Sequence, residues 1–363
     1  MKKRVLFLAN HFITLYSFRK ELIKRIIDEK HEVFLSLPKD KDNVYFSNLG
    51  CKVIETEIDR RGVNPLKDLK LLMTYKRIMN DVKPDIVFSY TIKPNIYGSM
   101  ASNKKYKQVC NITGTGATFL KDSILSRIVK ILYRLSIAHS YKVFFQNTGD
   151  RDFFIKNRMV KNNYEMLPGS GCDIEEHPYV EMKKDKVTRF LYIGRVMEVK
   201  GVKEFLCAAK AVKEKNNNTE FIIAGWNEED NITKIVEEYA EKGYVKYIGF
   251  TKEINKWIGE CDCVVLASHG GEGVPNSLLE ACCMGRPCIG SNTNGIREVI
   301  DDGVNGFLFK PKDADDLIEK IEKYISLSFD ERVEMGKKGR EIVIKKFDRR
   351  IVIEKYIDEV EKA

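Results

Sequence analysis

The stretch Cys263-Val-Val-Leu-Ala267, then Ser268-His-Gly-Gly-Glu272-Gly-Val-Pro275, then Asn276-Ser-Leu-Leu-Glu280 reads as an apolar strand, a glycine-rich turn and the opening of a helix. Pro275 and Asn276 suit the first position and the cap of that helix. A buried run that turns sharply into a helix is half of a βαβ unit, and the same alternation repeats along the chain. Before it come candidate strands at Phe190–Gly194, Phe221–Gly225 and Val245–Phe250; after it come Pro287–Ser291 and Gly306–Phe309. An earlier series comprises Val5–Ala9, Val33–Leu37, Val53–Ile58, Asp85–Tyr90, Gln108–Thr113, Val143–Asn147 and Tyr164–Leu167. The expectation is an α/β protein with two doubly wound, Rossmann-like domains in tandem, facing a central cleft. In such sheets ligands bind beyond the carboxyl ends of the strands, so chemistry is sought in the loops that follow them.

The boundaries follow from composition. Residues 1–170 form the first domain, and a polar linker follows Pro168-Gly169-Ser170-Gly171 over 171–188. The second domain spans 189–345, with a terminal helix at 346–363 that is expected to return to the first. At 363 residues the chain suits two domains of roughly 150–200 residues each. Its 43% apolar and 32% charged content fits a folded protein. The opening Lys2-Lys3-Arg4 and Val5–Ala9 are too short for a secretory signal, and no run approaches the roughly 18 apolar residues of a membrane span. Nine cysteines without framework spacing read as reduced core thiols and a cytoplasmic home. Five scattered histidines make a structural zinc unexpected. The net charge of +9 divides unevenly, +15 over residues 1–170 and −6 over the remainder, so the basic half should face an anionic partner.

Two motifs carry chemistry. Glu272 and Glu280 bracket the helix start, where exposed backbone N–H groups from Gly273, Val274, Asn276, Ser277 and Leu278 suit a pyrophosphate and the carboxylates suit sugar hydroxyls. Gly194-Arg195, with Lys200-Gly201 five residues on, places a guanidinium fork and an ammonium after the second domain's first strand, a pattern for neutralising a leaving diphosphate. The spacing matches neither the dinucleotide fingerprint nor the P-loop.

Together these residues resemble the retaining glycosyltransferases of family 4, which have the two-domain GT-B fold. Gly285-Arg286-Pro287, Asn294-Gly295-x-x-Glu298 and Asp302-Gly303-x-Asn305-Gly306 extend the likeness. Phe18-Arg19, Lys93-Pro94-Asn95, Thr113-Gly114-Thr115-Gly116 and Gln146-Asn147 point to the capsule and O-antigen branch. The resemblance implies that Arg195 and Lys200 neutralise the donor diphosphate, Glu272 contacts the donor sugar and Glu280 binds the ribose. It also implies that Phe250 and Thr251 lie near the base, that Gly114, Thr115 and Gly116 approach the nucleotide sugar, and that His11, Arg19 and Lys93 meet the acceptor. Many relatives have a histidine where Thr113 stands, so a histidine-dependent step is in doubt, with His11 as a partial substitute.

Two D-x-D sequences, Asp150-Arg151-Asp152 and Asp313-Ala314-Asp315, read as helix starts rather than metal ligands, so no divalent metal or other cofactor is expected. Lys121 to Lys142 is a basic amphipathic helix, either a core helix with a solvated face or a surface that meets anionic lipid. Nucleic acid is disfavoured because no stacking module accompanies the charge. The expected activity is transfer of a hexose or N-acetylhexosamine from a UDP-sugar to a polyprenyl diphosphate-linked saccharide, at the inner face of the cell membrane. The alternatives are a UDP-sugar epimerase or hydrolase of the same fold and a non-catalytic nucleotide-sugar-binding protein.

Overall fold

A computed structural model describes residues 1–60, 62–120 and 122–363; Lys121, the head of the amphipathic stretch, lies outside the described residues. The chain divides into two compact units, Met1–Ser170 with Arg350–Ala363, and Gly171–Arg349.

The first unit holds a sheet of β1 (Arg4–Leu8), β2 (Glu32–Leu37), β3 (Lys52–Glu55), β4 (Ile86–Tyr90), β5 (Lys107–Ile112), β6 (Lys142–Phe145) and β7 (Tyr164–Met166). Every pairing is parallel and the order is β3-β2-β1-β4-β5-β6-β7. Helices cover both faces, so Val5 to Leu8 and Ile86 to Tyr90 are buried without a polar-apolar alternation. The terminal helix Arg349–Glu361 completes this unit. Its Val352, Tyr356, Ile357 and Val360 pack with Val5, Phe7, Phe88 and Phe144, and the Tyr356 hydroxyl donates to Asn111 Oδ1.

The second unit repeats the plan with β8 (Thr188–Ile193), β9 (Thr219–Ala224), β10 (Lys246–Gly249), β11 (Cys263–Leu266), β12 (Cys288–Ser291) and β13 (Gly306–Phe309). Its parallel order is β10-β9-β8-β11-β12-β13. The order reverses between β8 and β11, which pair Phe190 with Cys263 and Tyr192 with Val265. The loops that follow these two strands therefore leave the sheet side by side, at the position where doubly wound sheets bind ligands.

Two boundaries differ from the sequence expectation. Residues 171–188 are not a free linker: Cys172 N–H donates to Phe347 O at 2.7 Å, Val180 N–H to Met284 O at 3.2 Å, and His177 Nδ1 lies 2.9 Å from Asn255 Oδ1. The polar composition hid these backbone ties. The edge expected at residue 345 falls inside the helix Phe329–Lys346, whose Met335 and Val343 are buried, and the chain changes unit between Arg349 and Arg350.

Arg286 explains part of this packing. It is fully buried, and its guanidinium donates to Ile258 O at 3.0 Å, Val180 O at 2.7 Å and Gly259 O at 2.7 Å. One side chain thus satisfies the carbonyls at the end of the helix Ile254–Glu260 and ties down the segment after Gly171. All nine cysteines are free, and all but Cys207 are buried.

Candidate functional site

In the second unit the loop after β8 carries Gly194, Arg195 and Lys200, and the loop after β11 carries Glu272. Lys200 Nζ forms a direct ion pair with a Glu272 carboxylate oxygen, both side chains being largely buried. Burial pushes the Glu272 carboxyl up, but Lys200, aided by Ser268 and Arg195, overrides it and holds the group below its usual range. The Tyr192 hydroxyl bonds the carbonyls of Arg195 and Lys200 at 3.2 Å each, fixing the span between the two cations. Arg195 Nη1 lies 3.6 Å from Glu228 Oε1.

The Glu272 loop is held by close backbone approach. Gly295 has φ +84°, and a Cβ there would sit 1.6 Å from Gly273 O; only glycine fits. Gly201, at φ +72°, would meet Ala267 O at 2.0 Å. The helix Asn276–Cys283 starts immediately afterwards, and Pro275 at its cap supplies no side-chain acceptor. Helix starts of this kind, with N–H groups that no side chain caps, suit an anion, and this one follows directly on the Glu272 loop. Val274 and Leu278, expected among the ligand contacts, bury their side chains in the core, and the Leu278 N–H already donates to Pro275 O at 3.2 Å. Ser277 is half-buried at the helix start, and Asn276 leaves its Oδ1 buried without a hydrogen-bond partner.

Glu280 lies one turn further on. Burial pushes its carboxyl up to about 7, against Arg349 and with help from Glu176. Because the folded value exceeds the ordinary 4.5, stability is lost as pH rises from about 4.5 through about 7. A ribose that bonds the ionised carboxylate reverses the preference. Uridine, which has no phosphate, is accordingly expected to bind several-fold more tightly at pH 8 than at pH 6, and Glu280→Gln to abolish that slope in a calorimetric titration.

The sequence reading missed Trp226. It follows the β9 strand as Phe250 follows β10, and the two exposed rings, 41% and 61% accessible, lie 5.8 Å apart at 57°. Two large aromatics left open at the carboxyl ends of neighbouring strands make an aromatic platform of the kind a planar base could stack on. The available signal was an aromatic directly after the Gly225 strand end. Thr251, expected near the base, accepts the Glu253 N–H through its hydroxyl at 3.0 Å. Trp226→Ala and Phe250→Ala are each expected to weaken uridine binding about tenfold, readable by fluorescence or calorimetry.

In the first unit the expected residues divide. Gly114, Thr115 and Gly116 follow β5, and Gly116 has open space on the side where a Cβ would stand. Thr115 is anchored by Asp150, a buried carboxyl that desolvation pushes up to about 6 against hydrogen bonds from Asn147 and Thr115. Asp150 N–H also donates to the Asn147 cap at 2.7 Å. Asp313 caps its helix by accepting the Asp316 N–H at 3.0 Å. His11 caps the helix Phe12–Asp28, its Nδ1 accepting the Ile13 N–H at 3.1 Å, and burial lowers its pKa. Arg19 does not offer itself to an acceptor: 2% exposed, it donates to the Tyr90 hydroxyl at 3.2 Å and lies 5.2 Å from the rings of Tyr90 and Tyr356. The local sequence could not reveal that the terminal helix would cover it. Lys93 is engaged by Asp68 at 2.6 Å, which also accepts from the Tyr97 hydroxyl.

The chain is thus a tandem of two Rossmann-like units, the second with two cations and a carboxylate in the loops at its switch point. Family models match most of its length: "Glycosyl transferase 4-like" over residues 4–147 and "Glycosyl transferases group 1" over residues 173–342. The chain belongs to these glycosyltransferases and has their GT-B fold. The N,N'-diacetylbacillosaminyl-diphospho-undecaprenol alpha-1,3-N-acetylgalactosaminyltransferase of Campylobacter jejuni is 29% identical, over 98% of this chain and 97% of its own. The UDP-Gal:alpha-D-GlcNAc-diphosphoundecaprenol alpha-1,3-galactosyltransferase of Escherichia coli is 26% identical over 72% of this chain and 71% of its own. Among solved structures, Anabaena HepE in complex with UDP and glucose superposes with a TM-score of 0.81 at 17% identity, covering 99% of this chain and 100% of its own. A Rickettsia africae glycosyltransferase gives 0.82 at 17% identity, covering 99% and 98%.

Proposed function

We propose that this glycosyltransferase moves a hexose or N-acetylhexosamine from a UDP-sugar to a polyprenyl diphosphate-linked saccharide, with retention and without a divalent metal. The observation that carries the donor half is the Lys200–Glu272 pair beside Arg195 at the β8/β11 switch point. Arg195, Lys200 and the helix N–H groups would take the charge that develops on the leaving diphosphate, the role otherwise given to a metal ion. The D-x-D carboxylates support this reading, since Asp150 is held by Asn147 and Thr115 and Asp313 by its own helix. Glu272 would accept from the donor sugar, and Glu280 from the ribose. The relatives that act on diphospho-undecaprenol-linked sugars support a lipid-linked acceptor.

Among the described residues, no helix is long and apolar enough to cross a membrane. The helix Ile124–Ser136 buries Val129 and Tyr133 but leaves Ile124, Ile128, Ile131 and Leu135 outward, Ile124 at 78% and Leu135 at 67% exposure. With Arg127, Lys130 and Arg134 interleaved, that face would rest on the anionic inner leaflet of the cell membrane. Replacing Ile128 and Ile131 by Ser should release the protein from vesicles containing phosphatidylglycerol, measured by sedimentation, while nucleotide binding persists.

The reading is tested by nucleotide release from UDP-, GDP- and ADP-sugars, with and without short polyprenyl diphosphate-saccharides, in EDTA. Acceptor-dependent UDP release is expected. Release that ignores the acceptor would indicate an epimerase or hydrolase, and tight UDP binding without turnover a binding protein.

A further inference from the structure

The loop that carries Arg195 and the loop that carries Trp226 are stitched together. Val196 N–H donates to Trp226 O at 3.0 Å, and Glu228 N–H to Val196 O at 3.3 Å. This places the largely buried Glu228 carboxylate between two groups of different chemistry. Its Oε1 lies 3.6 Å from Arg195 Nη1, and its Oε2 accepts the Trp226 indole N–H at 3.0 Å.

We propose that Glu228 is a positioning residue that competes with the donor diphosphate for Arg195 and so limits how tightly the nucleoside diphosphate product is held. The inference rests on the donor site proposed above. In the free protein Glu228 holds the guanidinium beside the aromatic platform. A diphosphate entering between Arg195 and Lys200 brings stronger charge-assisted acceptors, and Arg195 exchanges one anion for the other. The carboxylate remains close by, fixed to the indole, and opposes the diphosphate electrostatically. After sugar transfer the same opposition aids departure of the nucleoside diphosphate. A neutral nucleoside, which reaches the platform and Glu280 but brings no phosphate to Arg195, does not sense it.

The test is isothermal titration of wild type, Glu228→Gln and Glu228→Asp with UDP and with uridine. Glutamine keeps an oxygen for the indole N–H but removes the charge. We expect Glu228→Gln to bind UDP about three- to fivefold more tightly, the range of a partly exposed ion pair. Uridine affinity should be unchanged, and Glu228→Asp should stay near wild type for both. UDP affinity that is unchanged or weaker in Glu228→Gln, or a uridine affinity that moves in parallel, would overturn the inference while leaving the donor site standing. A wild-type protein that binds neither ligand would remove the donor site and this inference with it.

Discussion

Lys200→Ala is expected to lower kcat/KM for the donor by about 10²–10³-fold, the size seen when one preorganised charge stabiliser is removed. Two effects combine. The leaving diphosphate loses an ammonium, and Glu272, which Lys200 keeps ionised despite burial, loses the cation that pairs with it directly. The second effect also costs stability, on the order of 1–3 kcal/mol, because a desolvated carboxylate loses its partner. The double variant Lys200→Ala/Glu272→Gln separates them. It should regain thermal stability, since the amide carries no charge, and remain as inactive as the single variant. Recovery of activity in the double variant would show that Lys200 serves only to neutralise Glu272.

Arg286→Ala should produce the largest loss of stability away from the reacting groups. The guanidinium is buried and donates to the carbonyls of Ile258, in a fully buried bond, and of Val180 and Gly259, in part-buried ones. Truncation removes three bonds at once, leaves the Ile258 carbonyl buried and opens a cavity, so about 3 kcal/mol should be lost. For a unit of this size that corresponds to a fall in melting temperature of roughly 6–12 °C. Because Val180 is one of the partners, limited proteolysis should now cut between residues 171 and 188, where the wild type resists. Lysine at the same position should rescue little, having no fork to reach several carbonyls.

The two parallel sheets were legible in the sequence because each strand is a short apolar run ended by glycine, proline or a polar turn. Val5–Ala9 and Cys263–Ala267, for instance, differ from the observed β1 and β11 only at their ends. Arg195, Lys200 and Glu272 were legible as a group for a topological reason, since each follows a strand and the strands β8 and β11 are neighbours. What escaped the sequence depends on contacts between distant segments. Arg19 has the composition of a ligand-binding residue, yet the terminal helix brings Tyr356 onto it. Val274 precedes the helix Asn276–Cys283 and Leu278 lies within it, yet both turn their side chains into the core. Trp226 acquires meaning only when β10 places Phe250 beside it. The ties of residues 171–188 are mostly backbone bonds, which leave no compositional trace.

Transfer of the sugar is read out by following its label. The protein would be incubated in EDTA with UDP-sugars labelled at the anomeric carbon and an undecaprenyl diphosphate-linked saccharide, and the new linkage read by NMR. The expected product is an extended lipid-linked saccharide joined through an α linkage from an α donor, absent in Arg195→Ala. A β linkage, a requirement for added metal, or label recovered only as free sugar would contradict it.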